Sequence, residues 1–313
     1  MKTIRCGQLT LASLAIVIAC ISTATAQVSL RPRISPGTQQ TYHSQSTTTQ
    51  ILSVAGMDVE TKSTQFTISE QKTGQRATDG TIRVTQQVRK LQQELNLPGL
   101  SLTFDSDNPD KKAALPQLES ILDVLRALAK LKVTFVYNKS EKLTKVEGVD
   151  ALLASLKPEL RKNHASQFSS ETILRQRKDE IVRILDKPVR NGDQWKHTSV
   201  LNLEAGQKLT ITREYTYAGP TRQGKRTLQK ITVKAVAITL TQDPPEGTPT
   251  KITDSKLKVA KSNGEILIDA KRGVIVSEKN SVQTKGTLTL EVNGQKFPAT
   301  LDLTLQNESK LEE

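Results

Sequence analysis

The stretch GTLTLEVNGQKFPATLDLTL, residues 286–305, decides how the chain is read. Leu288, Leu290 and Val292 alternate with polar residues, and after Asn293-Gly294 so do Phe297, Leu301, Leu303 and Leu305. Period-two alternation puts one apolar face on each strand, and Asn-Gly supplies the two positive-φ positions of a tight hairpin turn. The two arms are therefore expected to pair antiparallel, with their apolar faces on one side.

Working outward, Lys208–Tyr217, Leu228–Thr241, Ser255–Ala260, Glu265–Ala270 and Val274–Ser277 share that β-branched, alternating character, with Asn263-Gly264 expected as a second hairpin turn. The first third reads the same way. Thr41–Val54, Thr61–Ser69 and Thr81–Val88 are separated by Ala55-Gly56 and Asp79-Gly80. Between these β-rich ends, Leu118, Ile121, Leu122, Leu125 and Leu128 recur at helical spacing, and Phe168–Leu185 repeats the pattern. Asp150 reads as the cap of a helix that Pro158 interrupts, and Val133–Tyr137 with Lys142–Val146 as a small hairpin. The expectation is one α+β domain over residues 39–313, β-rich at 39–105, helical at 112–186 and β-rich at 193–306. Its sheet is expected to be a strongly curved antiparallel sheet or open barrel, with the helical middle segment packed on it.

The N-terminus carries two basic residues, Lys2 and Arg5, then an uncharged run from Leu9 to Ile21, then Ala24-Thr25-Ala26. That is the grammar of an export signal over residues 1–26, and the run is too short for a membrane-spanning helix. Small residues at the −3 and −1 positions favour a cut between Ala26 and Gln27. The alternative is Val17-Ile18-Ala19-Cys20, which resembles a bacterial lipobox and would leave Cys20 lipidated and the protein membrane-anchored. Residues 27–38, with two prolines and a glycine, read as a spacer.

Composition then removes whole classes of chemistry. The cysteines are Cys6 and Cys20, so a chain cut after Ala26 has neither disulfides nor thiol chemistry. Its charge falls from +13 to +11 with Lys2 and Arg5 gone, which suits anionic partners. His43, His164 and His197 lack ligands at metal-binding spacing, and there is no nucleophile elbow or phosphate-binding glycine loop. Asp105–Asp110 begins like a calcium loop but has Asp110 where the turn glycine belongs and Pro116 at the twelfth position. Basic residues gather at Arg222, Lys225 and Arg226 and at Arg175, Arg177, Lys178 and Arg183. Aromatics are only 3%, however, too few for the stacking of nucleic-acid binders. No catalytic residue, cofactor or metal is expected.

KPVRNGDQW, residues 187–195, is similar to a K-P-V-x-x-G-D-x-W segment of an uncharacterised family of exported bacterial proteins of planctomycete type. Gly37 to Tyr42 (G-x-x-x-x-Y) and Lys145 to Gly148 (K-V-E-G) resemble the same family. Its outline is similar to that of periplasmic lipoprotein carriers, whose curved sheet holds acyl chains against lid helices. The resemblance implies no assigned activity, and fold alone does not supply one.

Together these readings describe an exported, non-enzymatic cell-envelope protein, periplasmic or extracellular, holding an apolar or amphiphilic ligand or a partner in the concave face of its sheet. A leucine- and valine-lined cavity is expected beneath the 115–131 helix. The alternative is a structural module that binds anionic envelope polymer through its basic surface. Lipid or another amphiphile, or that polymer, is the expected partner, with no nucleic acid and no membrane contact unless Cys20 is lipidated. Intact mass spectrometry of the protein from soluble and membrane fractions should return a chain beginning at Gln27; a diacylglycerol adduct on Cys20 would establish the anchored form instead.

Overall fold

The computed structural model describes residues 27–202, 206–244 and 250–312. Cys20 and Ala26 lie outside the described residues, and Gln27 is the first within them. The first sheet half is built from β1 (Gln39–Val54), β2 (Met57–Thr73), β3 (Ile82–Leu97), β4 (Leu100–Asp105), β5 (Lys132–Tyr137) and β6 (Leu143–Glu147). The second comprises β7 (Gln194–Asn202), β8 (Gln207–Gln223), β9 (Arg226–Gln242), β10 (Thr250–Asp269), β11 (Val274–Val292) and β12 (Gln295–Leu311). All twelve belong to one antiparallel sheet ordered β6-β5-β3-β2-β1-β12-β11-β10-β9-β8-β7, with β4 beside β3.

The α+β expectation is thereby corrected. Of the described residues 60% are strand and 15% helix, and among them the sheet does not close into a barrel. The middle region holds α1 (Glu119–Ala129), preceded by a 3-10 turn at Pro116–Leu118, then α2 (Val149–Ser155), α3 (Pro158–His164) and α4 (Ser170–Val182), with the β5–β6 hairpin among them. Proline 158 starts α3 rather than interrupting a helix, and α2 is entered from Gly148, not Asp150. Sequence alternation also underestimated the strands. Asn263-Gly264 is not a turn: both residues lie inside the 20-residue β10, opposite Ser281 and Asn280. Glycine serves close approach there, since a Cβ on Gly264 would sit 2.3 Å from the Asn280 side-chain oxygen.

The hairpin at 286–305 does form, with Leu288 opposite Ala299, Leu290 opposite Phe297 and Asn293 and Gly294 at φ 51° and 81°. Its apolar face joins Leu209, Ile211, Ile238 and Leu240 in one buried cluster. Every member is a strand residue, so the sheet covers this stretch with itself. The ladder between β9 and β10 is short and pairs only residues 229–232 with 265–268. Beyond it side chains take over the bonding, with Ser262 Oγ accepting from the Ala235 N–H at 2.7 Å.

Helix α1 closes a second core, where Leu118, Leu122 and Leu125 fill against Leu91, Leu102 and Phe104. Helix α4 behaves differently. Ile173, Leu174 and Ile181 pack on the β3-β5-β6 end of the sheet, while the residues just after it, Ile184 and Leu185, pack with Tyr215, Ile231 and Ile266 at the β8-β9-β10 end. The segment expected as a spacer is docked beside it. Leu30 is 0% exposed, and Val28 exchanges backbone hydrogen bonds with Val189 at 3.0 and 2.9 Å.

KPVRNGDQW organises that junction. Gly192, at φ 91°, donates to the Tyr217 carbonyl, and Asp193 Oδ2 accepts from the Arg190 N–H. Trp195 stacks on Tyr215 with ring centroids 5.6 Å apart, and its Nε1–H donates to the Arg183 carbonyl at 2.9 Å.

Gly148 and Gly99 both have positive φ, but a Cβ at 148 would lie 2.4 Å from the Lys132 carbonyl oxygen, whereas one at 99 meets open space. Gly99→Ala should cost about 1–2 kcal/mol, the conformational penalty alone. Gly148→Ala should cost clearly more, read as the difference in urea midpoints.

Candidate functional site

Because α4 and residues 31–38 bridge the sheet rather than lie flush on it, they roof a cavity of about 450 Å³. One wall is apolar and comes from the roof and its flanks: Ile34, Ile173 and Ile181 with Phe135, Val274 and Val276. The floor is polar and comes from the sheet: Gln40, Tyr42, Ser44, Ser69, Gln71 and Ser309. Strand register explains the floor. Tyr42 and Ser44 face Ser69 and Thr67 on one side and Leu311 and Ser309 on the other, all in antiparallel pairs. Ser44 donates to Ser309 Oγ at 3.0 Å. The expected leucine-valine cavity beneath the 115–131 helix is thus corrected in place and lining: α1 sits on a filled core, and the open space lies under α4.

Two arginines of the roof reach inward. Arg177 lies over the Phe135 ring at 5.2 Å and donates from Nη1 to Glu180 at 2.8 Å; 28% of its side chain remains accessible. Its Nε–H is buried without an acceptor. Burial opposes its charge, but Glu180 and Tyr137 outweigh that and hold the guanidinium firmly protonated. Arg183 makes a two-pronged ion pair with Glu278, its Nη2 donating at 2.7 Å, both side chains being 19% exposed. Burial pushes the Glu278 carboxyl up, and the Arg183 bonds more than reverse it, so the group is held below the usual carboxylate range. Burial likewise raises Tyr42, keeping its hydroxyl neutral, and the hydroxyl donates to Gln40 Oε1 at 3.1 Å.

The residues singled out from sequence scatter. His43 lies beside Glu312 at 3.5 Å, and His164 meets Gln167 at the end of α3. His197 faces α4 from β7 with its Nε2 buried and unpartnered, and burial pulls its pKa down. Asp105 accepts from Gln92 and from the Asp107 N–H, and Asp107 pairs with Lys90. Arg222 and Arg226 flank the β8–β9 turn, away from the cavity. The basic cluster of α4 is split: Arg175 and Lys178 are exposed, while Arg177 and Arg183 line the cavity. Among the described residues no three His, Cys, Asp or Glu side chains gather as a metal site.

Sequence reading missed the floor entirely. Its signal was present as polar breaks in long strands, at Ser44–Ser46, Glu278–Asn280 and Asn307–Ser309, which resemble loop sequence when each strand is read alone.

A family model described as a family of unknown function, DUF6263, matches residues 79–275. The chain belongs to this family. The DUF6263 match spans KPVRNGDQW and the Lys145–Gly148 segment, and with them α4 and most of the cavity's apolar wall. No curated protein matches the chain. Among solved structures, a lipovitellin studied for lipid-protein interactions is similar at 10% identity over 90% of this chain and 26% of its own, with a TM-score of 0.39. An outer membrane channel from Pseudomonas putida F1 is similar at 6% identity over 90% and 97%, with a TM-score of 0.21. DynF, from the dynemicin pathway of Micromonospora chersina, is similar at 8% identity over 96% and 92%, at 0.18. The chain spans about a quarter of the lipovitellin chain it matches. At these TM-scores none of the three bears on the fold or the site.

The Arg183–Glu278 pair gives a direct test of how the roof is held. Removing one partner of a buried pair leaves an uncompensated charge, so Arg183→Met should cost about 3–5 kcal/mol at neutral pH. The double variant Arg183→Met/Glu278→Gln should recover much of that loss in urea unfolding. Glu278 has a folded pKa below its unfolded one, so its contribution is present above the unfolded value and is lost as pH falls through the folded one. The wild type should therefore lose stability on acidification across that range, and the double variant should lose less.

Proposed function

We propose that this chain is an exported, non-enzymatic protein of the cell envelope that takes a small amphiphile into the cavity under α4. The observation that carries the reading is the division of that cavity into an apolar wall and a polar floor. A ligand pocket is expected to be largely apolar with a few polar groups that orient what it holds. A purely apolar ligand would strip water from Gln40, Gln71 and Ser69 without replacing it, whereas an amphiphile can satisfy floor and wall together. The cavity volume suits a single short-chain molecule rather than a bundle of acyl chains. The export grammar of residues 1–26 supports an envelope setting for such a task.

Protein purified from its native envelope fraction should release a bound amphiphile on solvent extraction, seen as a mass difference between native and denaturing spectra. Ser44→Trp places an indole in the cavity floor and should abolish that difference while leaving the thermal midpoint within a few degrees. The same difference between native and denaturing masses in wild-type and Ser44→Trp protein would refute the reading.

A further inference from the structure

The charges around the cavity specify the polar end of its ligand, an inference that rests on the amphiphile reading above. Among the described residues three carboxylates line the cavity, and each is committed: Glu141 to Arg76 at 3.2 Å, Glu180 to Arg177 at 2.8 Å and Glu278 to Arg183. Of the four lining arginines, Arg31 pairs with Asp186 at 2.7 Å, and Arg33 has no acidic partner among the described residues. Arg177 adds donor capacity that Glu180 does not use, including the buried Nε–H. Around this site the positive charge exceeds the negative.

The surplus is also localised. Tyr42, on the floor, lies within the electrostatic reach of both Arg177 and Arg272. Arg33 packs against Gly273, the neighbour of Arg272; a Cβ on Gly273 would lie 2.7 Å from the Arg33 side chain. Its backbone N–H donates to the Gly273 carbonyl at 2.8 Å, which fixes the roof segment at this point. Arg33 is exposed and Arg177 half-buried, and both line the cavity with Tyr42, while Arg272 is exposed and stands outside the lining. Cations so placed raise the local concentration of an anion and then hold it by charge-assisted hydrogen bonds.

We propose that the ligand's head group is an oxyanion, a carboxylate or a phosphate monoester, seated in the cavity beside Tyr42 between Arg33 and Arg177, with its apolar tail against Ile173, Ile181 and Phe135. Guanidinium forks match both anions, so the head-group chemistry is shared and its source is left to the experiment.

The test is isothermal titration of the full chain with decanoate, decyl phosphate, decanol and decylammonium at low salt. Both anionic probes should bind about tenfold or more tighter than decanol, the worth of a hydrogen bond to a charged group, and decylammonium should bind weakest. The stronger of the two anions identifies the head group. The double variant Arg33→Gln/Arg272→Gln changes two exposed side chains, and should bring both anions down towards the affinity of decanol with the urea midpoint unchanged. Arg177→Met should act in the same direction, and the exposed pair keeps the test sound if that variant folds poorly. Decanol binding as tightly as the anions would overturn the oxyanion and leave the amphiphile reading standing. Failure of all four probes to bind would overturn both.

Discussion

The indole of Trp195 holds together parts of the chain that the sheet alone would leave apart. It is stacked on Tyr215 within the β7–β8 hairpin, and its N–H ends on the carbonyl of Arg183 at the C-terminus of α4. A sheet of twelve strands that does not close has two free ends, here β6 and β7. Helix α4 packs on the β6 end through Ile173 and Ile181, is tied to β7 through Trp195, and is tied to β11, nearer the middle of the sheet, through the Arg183–Glu278 pair. Without those ties the helix would be a loose appendage of one end, and there would be no roof. The cavity is the space left when a helix spans a sheet that its own strands do not seal.

This arrangement explains why the molecule has several apolar clusters instead of one. One is made by the sheet turning its face on itself, one lies under α1, and two more lie under the two ends of α4. Between them the interior is polar, carried by Ser44, Ser69, Glu278 and Ser309. Burying such groups without partners would be costly. Hydrogen bonds such as Ser44 to Ser309, ion pairs such as Arg183–Glu278 and the open volume itself relieve that cost.

Sequence reading handled what is local. The turn at Asn293-Gly294, the β5–β6 hairpin and the helical stretches of α1 and α4 were all legible, because each is fixed by a few adjacent residues. It failed where the deciding partner is remote. Asn263-Gly264 looks like a turn until Asn280 is placed beside it. Residues 27–38 look like a spacer until Val189 and Gly273 are brought against them. The cavity floor was illegible for the same reason, since a serine in mid-strand such as Ser44 announces nothing until its neighbours in register are serine and threonine too. Arg177 was noticed only as part of a basic helix. Its inward direction depends on Phe135 and Tyr137, which lie 40 and more positions away in the chain.

The pairing of β1 with β12 sets Tyr42 opposite Leu311, so the two extremes of the described chain meet in the middle of the sheet. Such a seam governs the order of folding. The hairpins β8–β9, β10–β11 and β11–β12 close over short loops, whereas the β1–β12 seam, even at its nearest pair Val54 and Ala299, must close a loop of roughly 240 residues before it is repaid by contacts. Until it closes, two long strands present unpaired edges in the centre of what will become one sheet, which is where partly folded chains are most open to pairing with one another. Folding of this molecule is therefore a race between its last strand finding its first and another copy finding it.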